Sequence, residues 1–275
     1  MLWSSAGLKP HRSSNSACST KQASSNYRDL WYQSIRILFP IGCLRVFSPG
    51  SQLLVGQFPR PLQRHRPCIG ACAFAQDFVS VAPQARVLKD DGRIRVIDYA
   101  PNAGDKLPMH SHPTMVVYSI KGGETKFTLE DGRTTEGNAQ AGTVLINPPV
   151  SHSQEHITAS HAILVEIAEG ATFESPAPAT DLLSLAPEHC KLLKEDDRVR
   201  VYDYTAKKGD KVSMHSHPVH VVYLIKAGKT QFTLQDGSRP KPAELKDGEA
   251  LINPAVTHSQ EHLEDVHGII VEMKR

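Results

Sequence analysis

From residue 81 onward the apolar positions come in short runs, rich in β-branched residues and closed by turn-forming ones. Residues 93–99, 115–120, 125–129, 143–146 and 162–167 are of this kind, and runs of that length and composition predict strands. No helical period of useful length intervenes, so the expected class is all-β. Asp131-Gly132 and Asp236-Gly237 each stand between strand-like runs, where Asp-Gly supplies the positive φ angles that a tight hairpin needs. Short antiparallel strands joined in this way are expected to close into a small barrel or jelly roll.

The pattern occurs twice. Residues 104–132 align without gaps onto 209–237 at an offset of 105, and 20 of those 29 positions are identical. After one inserted residue the match resumes, so that Asn147-Pro148 falls on Asn253-Pro254 and residues 153–156 fall on 259–262. A period near 105 is a domain length and not a solenoid repeat. The expected organisation is a leader over 1–75, a first barrel over 81–170, a linker over 171–187 where Pro176 and Pro178 oppose a long regular element, and a second barrel over 188–275.

At 275 residues the chain has room for two such domains, and 40% hydrophobic with 22% charged residues is a globular composition. No apolar stretch reaches the roughly 18 residues of a membrane span. The net charge of +2 hides a split: residues 1–80 carry nine Lys/Arg against two Asp/Glu, and the remainder 22 against 27. The repeats are therefore mildly acidic, which with the absence of any binding motif in the basic head argues against a nucleic-acid partner. Four of the five cysteines lie in the first 72 residues, so no disulfide framework holds the repeats, and Cys68 and Cys72 lack the partner pair of a zinc site. Arg64-His65-Arg66 followed by the apolar run 68–75 has the order of a secretory signal, with a cut after Ala75. That position suits export only if translation starts downstream, for example near Val55. The expectation is a cytoplasmic protein or, with that cleavage, a periplasmic or secreted one.

Of fourteen histidines, eleven fall in 104–168 or 209–273. The sharpest signal is His-x-His: His110 and His112, matched by His215 and His217. Side chains at i and i+2 of a strand face one side, so both imidazoles of a pair can enter the barrel and share one ion. A third histidine follows on a later strand, His152 or His258. Gln154 and His156, like Gln260 and His262, share its parity and are expected to point inward with it. Tyr118 and Tyr223 are read as sharing the inward parity of the pairs. His220 is expected to face outward, His161 and His267 to lie on the surface, and Glu166 and Glu272 to take the solvent side of a strand. His189 and Cys190 have no evident partner.

Gly104-x5-His110-x-His112 and Gly209-x5-His215-x-His217 resemble the first motif of the cupins, with Gly122 or Gly123 and Gly228 at its closing glycine. Gly142-x5-Pro148 followed by His152, and Gly248-x5-Pro254 followed by His258, resemble the second. The likeness covers about 85–168 and 190–273 and implies a duplicated cupin, with two tandem double-stranded barrels paired within one chain. It departs from the pattern at Val116 and Val221, where the family commonly has a ligating glutamate, and at His156 and His262, where an asparagine commonly ends the second motif. What remains is a three-histidine site in each barrel, expected to hold one divalent transition metal (Fe, Mn, Ni, Cu or Zn), since imidazole suits several of these ions.

Such an ion keeps its 2+ charge and open positions, so the resemblance implies a dioxygenase-like oxidoreductase acting on a small molecule. A non-catalytic ligand-binding or sensing barrel, and a metal-dependent isomerase or hydrolase, stand beside that reading. The expected proton-handling residues are His156, His262, Tyr118 and Tyr223, with Gln154 and Gln260 as polar contacts to the bound molecule.

Overall fold

The computed structural model describes residues 76–174 and 180–274. The leader, the export segment and four of the cysteines lie outside them. The first repeat runs β1 (Gln76–Asp77), α1 (Phe78–Val81), β2 (Ala85–Asp90), β3 (Ile94–Tyr99), β4 (Lys106–His112), β5 (Thr114–Lys121), β6 (Gly123–Leu129), β7 (Thr134–Ala139), β8 (Val144–Asn147), β9 (Val150–His156) and β10 (His161–Ile167). The second runs α2 (Leu182–Leu185), β11 (Cys190–Glu195), β12 (Val199–Ala206), β13 (Lys211–His217), β14 (His220–Lys226), β15 (Thr230–Leu234), β16 (Ala250–Asn253), β17 (Val256–His262) and β18 (Val266–Met273). Among the described residues no helix is long and apolar enough to cross a membrane.

The fold is all-β, two tandem barrels of two sheets each. In the first, β1-β4-β9-β6-β7 faces β2-β3-β10-β5-β8; in the second, β13-β17-β15 faces β11-β12-β18-β14-β16. Every named strand pair but the short β1–β4 contact is antiparallel. The turns form where Asp-Gly stands: Gly132 and Gly237 both have φ 81°, and Gly132 N–H closes on Leu129 O at 2.9 Å. The second barrel lacks a counterpart of β7. Pro240 and Pro242 occupy that stretch, and proline cannot donate to a ladder.

Each barrel has its own interior. Phe78, Ile97, Tyr99, Leu107, Met115 and Leu164 fill the first, and Leu182, Tyr202, Tyr204, Val212 and Ile270 belong to the second. Leu182 of α2 thus occupies the second interior as Phe78 of α1 does the first. The carboxyl-terminal part of the stretch read as a linker belongs to the second barrel. A third and larger core lies between the barrels, where Ile94, Val96, Val116, Ile163 and Val165 meet Val199, Val201, Val221, Ile269 and Val271.

That third core corrects several parity readings. Strands β10 and β18 are buried on both faces, so they have no solvent side. Glu166 and Glu272, read as solvent-facing, are 2% and 1% exposed and point into the barrels. Tyr118 and Tyr223 do not share the inward side of the His pairs. They line the seam between barrels, around a void of about 10 Å³. Their alternation belongs to β5 and β14, which start beyond Pro113 and Pro218 in the opposite sheet, so counting from the His pairs does not carry across. For the same reason His220 is buried and faces inward. Val116 and Val221 also face the seam, and the side chain that β14 turns toward the second triad is His220.

Candidate metal centres

The two histidine pairs are aimed by a local irregularity. The register of β4 on β9 shifts between Leu107 and His110, and that of β13 on β17 between Val212 and His215. Each shift is a bulge that bends the strand just before the first histidine. His110 then lies directly across from His152, and His215 across from His258. The motif glycine ties down the start of the strand: Gly104 and Gly209, at φ 86° and 96°, each donate N–H to a carbonyl of β9 or β17, that of His156 or His262, at 2.7 Å.

Both triads come together with the same shape. Ring centroids of His110–His112, His110–His152 and His112–His152 are 5.0, 4.7 and 5.3 Å apart. In the second barrel the corresponding distances are 4.9, 4.7 and 5.3 Å. One nitrogen from each ring of a triad lies within 4.8 Å of the others.

The Nδ1 atoms of four rings have fixed partners. His110 Nδ1–H donates to Pro108 O at 2.8 Å, and His215 Nδ1–H to Ser213 O at 2.7 Å. His112 and His217 donate to Glu166 Oε1 and Glu272 Oε1, both at 2.8 Å. Behind each carboxylate stands an arginine, Arg95 or Arg200, which contacts Oε2 and reaches outward to Asp77 or Asp181. Burial pushes the Glu272 carboxyl up, but the bonds and charges of His217 and Arg200 outweigh it and hold it at about 2.

Whether these residues suit a metal is decided by their other nitrogens. Among the described residues, Nε2 of His110, His152, His215 and His258 is buried without a hydrogen-bond partner. A buried polar atom without a partner costs about 1–3 kcal/mol, and here such atoms converge in two places. Burial, followed by the neighbouring histidine charges, brings His152 down to about 3 and His258 to about 2; burial also brings His215 to about 4 and lowers His110. At neutral pH those rings are neutral, the form in which imidazole ligates. The donor set, its protonation and its oriented Nδ1 atoms fit a divalent transition metal in each barrel.

The remaining inward residues form a separate polar cluster. His156 is buried, and its Nε2 lies 2.9 Å from Tyr99 Oη and 3.1 Å from Gln154 Nε2, while Nδ1 lies 3.1 Å from Thr125 Oγ1. Gln154 donates to Tyr99 Oη at 3.1 Å. The second barrel repeats this with His262, Tyr204, Gln260 and Thr230. His156 and His262 are inward but stand outside the triads, and the same holds for Gln154 and Gln260.

Sequence reasoning missed Tyr99 and Tyr204, Glu166 and Glu272, and the aromatic lids. Phe78 packs 4.6 Å from His112, and Phe127 and Phe232 lie 5.1 and 4.8 Å from His152 and His258. The two tyrosines recur at the 105-residue offset in the sequence itself, a signal that could have singled them out. His220 stacks on His217 at 4.6 Å, with Nδ1 on Pro218 O and Nε2 on Asn253 Nδ2, so both its nitrogens are engaged. His161 and His267 are half-buried and paired with Asp98 and Asp203 at 2.6 and 2.8 Å, away from the triads. His189 bonds Thr205 O, and Cys190 is a buried free thiol that burial and nearby carboxylates push up to about 12.

Among solved structures the chain is similar to a cupin 2 conserved barrel domain protein from Leptotrichia buccalis, at 15% identity and TM-score 0.41 over 69% of this chain and 88% of that one. It is also similar to a variant of oxalate decarboxylase from Bacillus subtilis, at 14% identity and TM-score 0.48 over 69% and 72%. A third likeness is to salicylate 1,2-dioxygenase from Pseudaminobacter salicylatoxidans, at 9% identity and TM-score 0.43 over 68% and 75%. No family model matches the chain, and no curated protein does. The two-barrel architecture stands on the chain's own sheets and its internal duplication.

Proposed function

We propose that the protein holds one divalent transition metal in each barrel, on His110, His112 and His152 and on His215, His217 and His258, and acts as a dioxygenase-like oxidoreductase on a small molecule. The observation that carries this reading is the convergence of neutral imidazoles whose buried Nε2 atoms have no partner. An ion held by these histidines would supply Lewis-acid and dioxygen chemistry. The protein's own contribution is orientation and proton handling. Glu166 and Glu272 fix the rings of His112 and His217. Phe78, Phe127 and Phe232 pack against the triads and keep their surroundings apolar. Since Gln154 donates to Tyr99 and also approaches His156 Nε2, that nitrogen is the acceptor, and the Tyr99 hydroxyl directs its proton there while His156 Nδ1–H faces Thr125. Tyr99–His156 and Tyr204–His262 are thus the groups placed to hold or pass a proton inside each barrel.

Elemental analysis of the full chain, beside a variant with His110, His112, His215 and His217 all changed to Ala, tests the metal reading. Close to two equivalents of one transition metal are expected, and none in the variant. Oxygen uptake with a panel of small carboxylates and phenols tests the reaction. Iron or copper with uptake supports the proposal; zinc without uptake moves the protein to isomerisation, hydrolysis or plain binding.

A further inference from the structure

The two triads match in shape to within 0.1 Å in ring spacing, yet the contacts of their orienting carboxylates differ at one atom. In the first barrel Glu166 Oε1 accepts from His112 Nδ1. In the second, Glu272 Oε1 accepts from His217 Nδ1 at 2.8 Å and also from the Tyr202 hydroxyl at 2.9 Å. Tyr202 is fully buried, and its oxygen lies 3.4 Å from His217 Nδ1 as well. At the 105-residue offset its counterpart is Ile97, which has no donor. The arginine on Oε2, the aspartate beyond it and the backbone carbonyl on the first histidine are common to both sites, whereas Phe78 packs on His112 only in the first barrel and His220 stacks on His217 only in the second.

We propose that the two centres are unequal, and that Tyr202 makes the second barrel the weaker metal site by competing with His217 for Glu272 Oε1. This inference rests on the reading of the triads as metal sites. A carboxylate that accepts one Nδ1–H polarises that imidazole and makes its Nε2 a better donor. When the same oxygen also accepts an O–H, its pull on the imidazole proton is divided, and Nε2 donates less electron density to the ion. Removing an orienting partner altogether typically changes metal affinity by 10- to 100-fold; division of one partner belongs at the lower end, about 10-fold. The first equivalent of metal then loads the first barrel. Tyr202 is a positioning residue, acting through Glu272 and His217.

The test uses the full chain freed of metal and titrated with Co²⁺, followed by visible absorption and equilibrium dialysis. His215→Ala with His217→Ala isolates the first site, and His110→Ala with His112→Ala isolates the second. The first is expected to bind about 10-fold more tightly. Tyr202→Phe, added to the variant that keeps only the second site, is expected to tighten Co²⁺ binding there; a residue that merely packed would loosen it or leave it unchanged. Equal affinities, a tighter second site, or no tightening with Tyr202→Phe overturns the inference and leaves the metal reading standing. No Co²⁺ binding by the unaltered chain overturns the metal reading itself. If Tyr202→Phe does not fold, Tyr202→Ile, the residue the first barrel carries at this position, takes its place.

Discussion

Glu166 and Glu272 each stand third in a chain of partners that starts near the surface: Asp77 or Asp181, then Arg95 or Arg200, then the carboxylate, then His112 or His217. Breaking a buried pair by removing one partner leaves an uncompensated group and costs about 3–5 kcal/mol. Glu166→Ala is expected to fall at the low end, about 3 kcal/mol, because Arg95 keeps Asp77; denaturant unfolding of the metal-free chain measures it. His262 gives a pH dependence. Its folded value of about 4, lowered by burial from 6.5, means that the unfolded chain takes up the proton first. Stability from this group is therefore complete above pH 6.5 and is lost as pH falls toward 4, by about 3 kcal/mol in total. His262→Gln is expected to flatten that part of the stability–pH curve, and an unchanged slope would place the loss elsewhere. For activity, His156→Asn with His262→Asn is expected to abolish turnover and spare metal content, and loss of metal would make the two residues ligands. The histidine pairs were legible from i, i+2 spacing, and the third histidine from its recurrence in both copies. The glutamates were not, because alternation with apolar neighbours looks the same whether a strand's second face meets water or another barrel.

At the level of elements, bulges and corners decide what parity can predict. Within β9 the alternation holds through His152, Gln154 and His156, all buried. Between β4 and β5, or β13 and β14, the chain crosses to the opposite sheet, and the count that placed Tyr118 and Tyr223 inside and His220 outside loses its meaning. Strands β2 and β7 were not foreseen, since 85–90 and 134–139 are largely exposed and polar. The missing counterpart of β7 has a measurable effect. Strand β6 is paired on both edges, with β7 and β9, whereas among the described residues β15 is paired with β17 alone. Amides on the free edge of β15 are expected to exchange with solvent much faster than their β6 counterparts. Equal protection would mean that residues 239–246 cover that edge in solution.

For the whole molecule, the core between the barrels outweighs either interior in number of buried aliphatic side chains. It was hidden in the sequence by the same double burial that hid the glutamates, although the duplication itself and the pairing of the barrels were legible. Ile269 is 2% exposed within it, and Ile269→Ala is expected to cost about 2–5 kcal/mol. Since that core belongs to both barrels, calorimetry of the variant is expected to show one transition at a lower temperature, not the loss of one barrel with the other intact. The seam also has a symmetry. β8 adjoins β11, and β16 adjoins β2, so each barrel offers the other the same pair of strands. A surface that fits its own duplicate is isologous, the geometry of a twofold dimer. Either half set free would bare a broad apolar sheet shaped to fit its near-duplicate, so the covalent join between repeats keeps the matching surface always within reach.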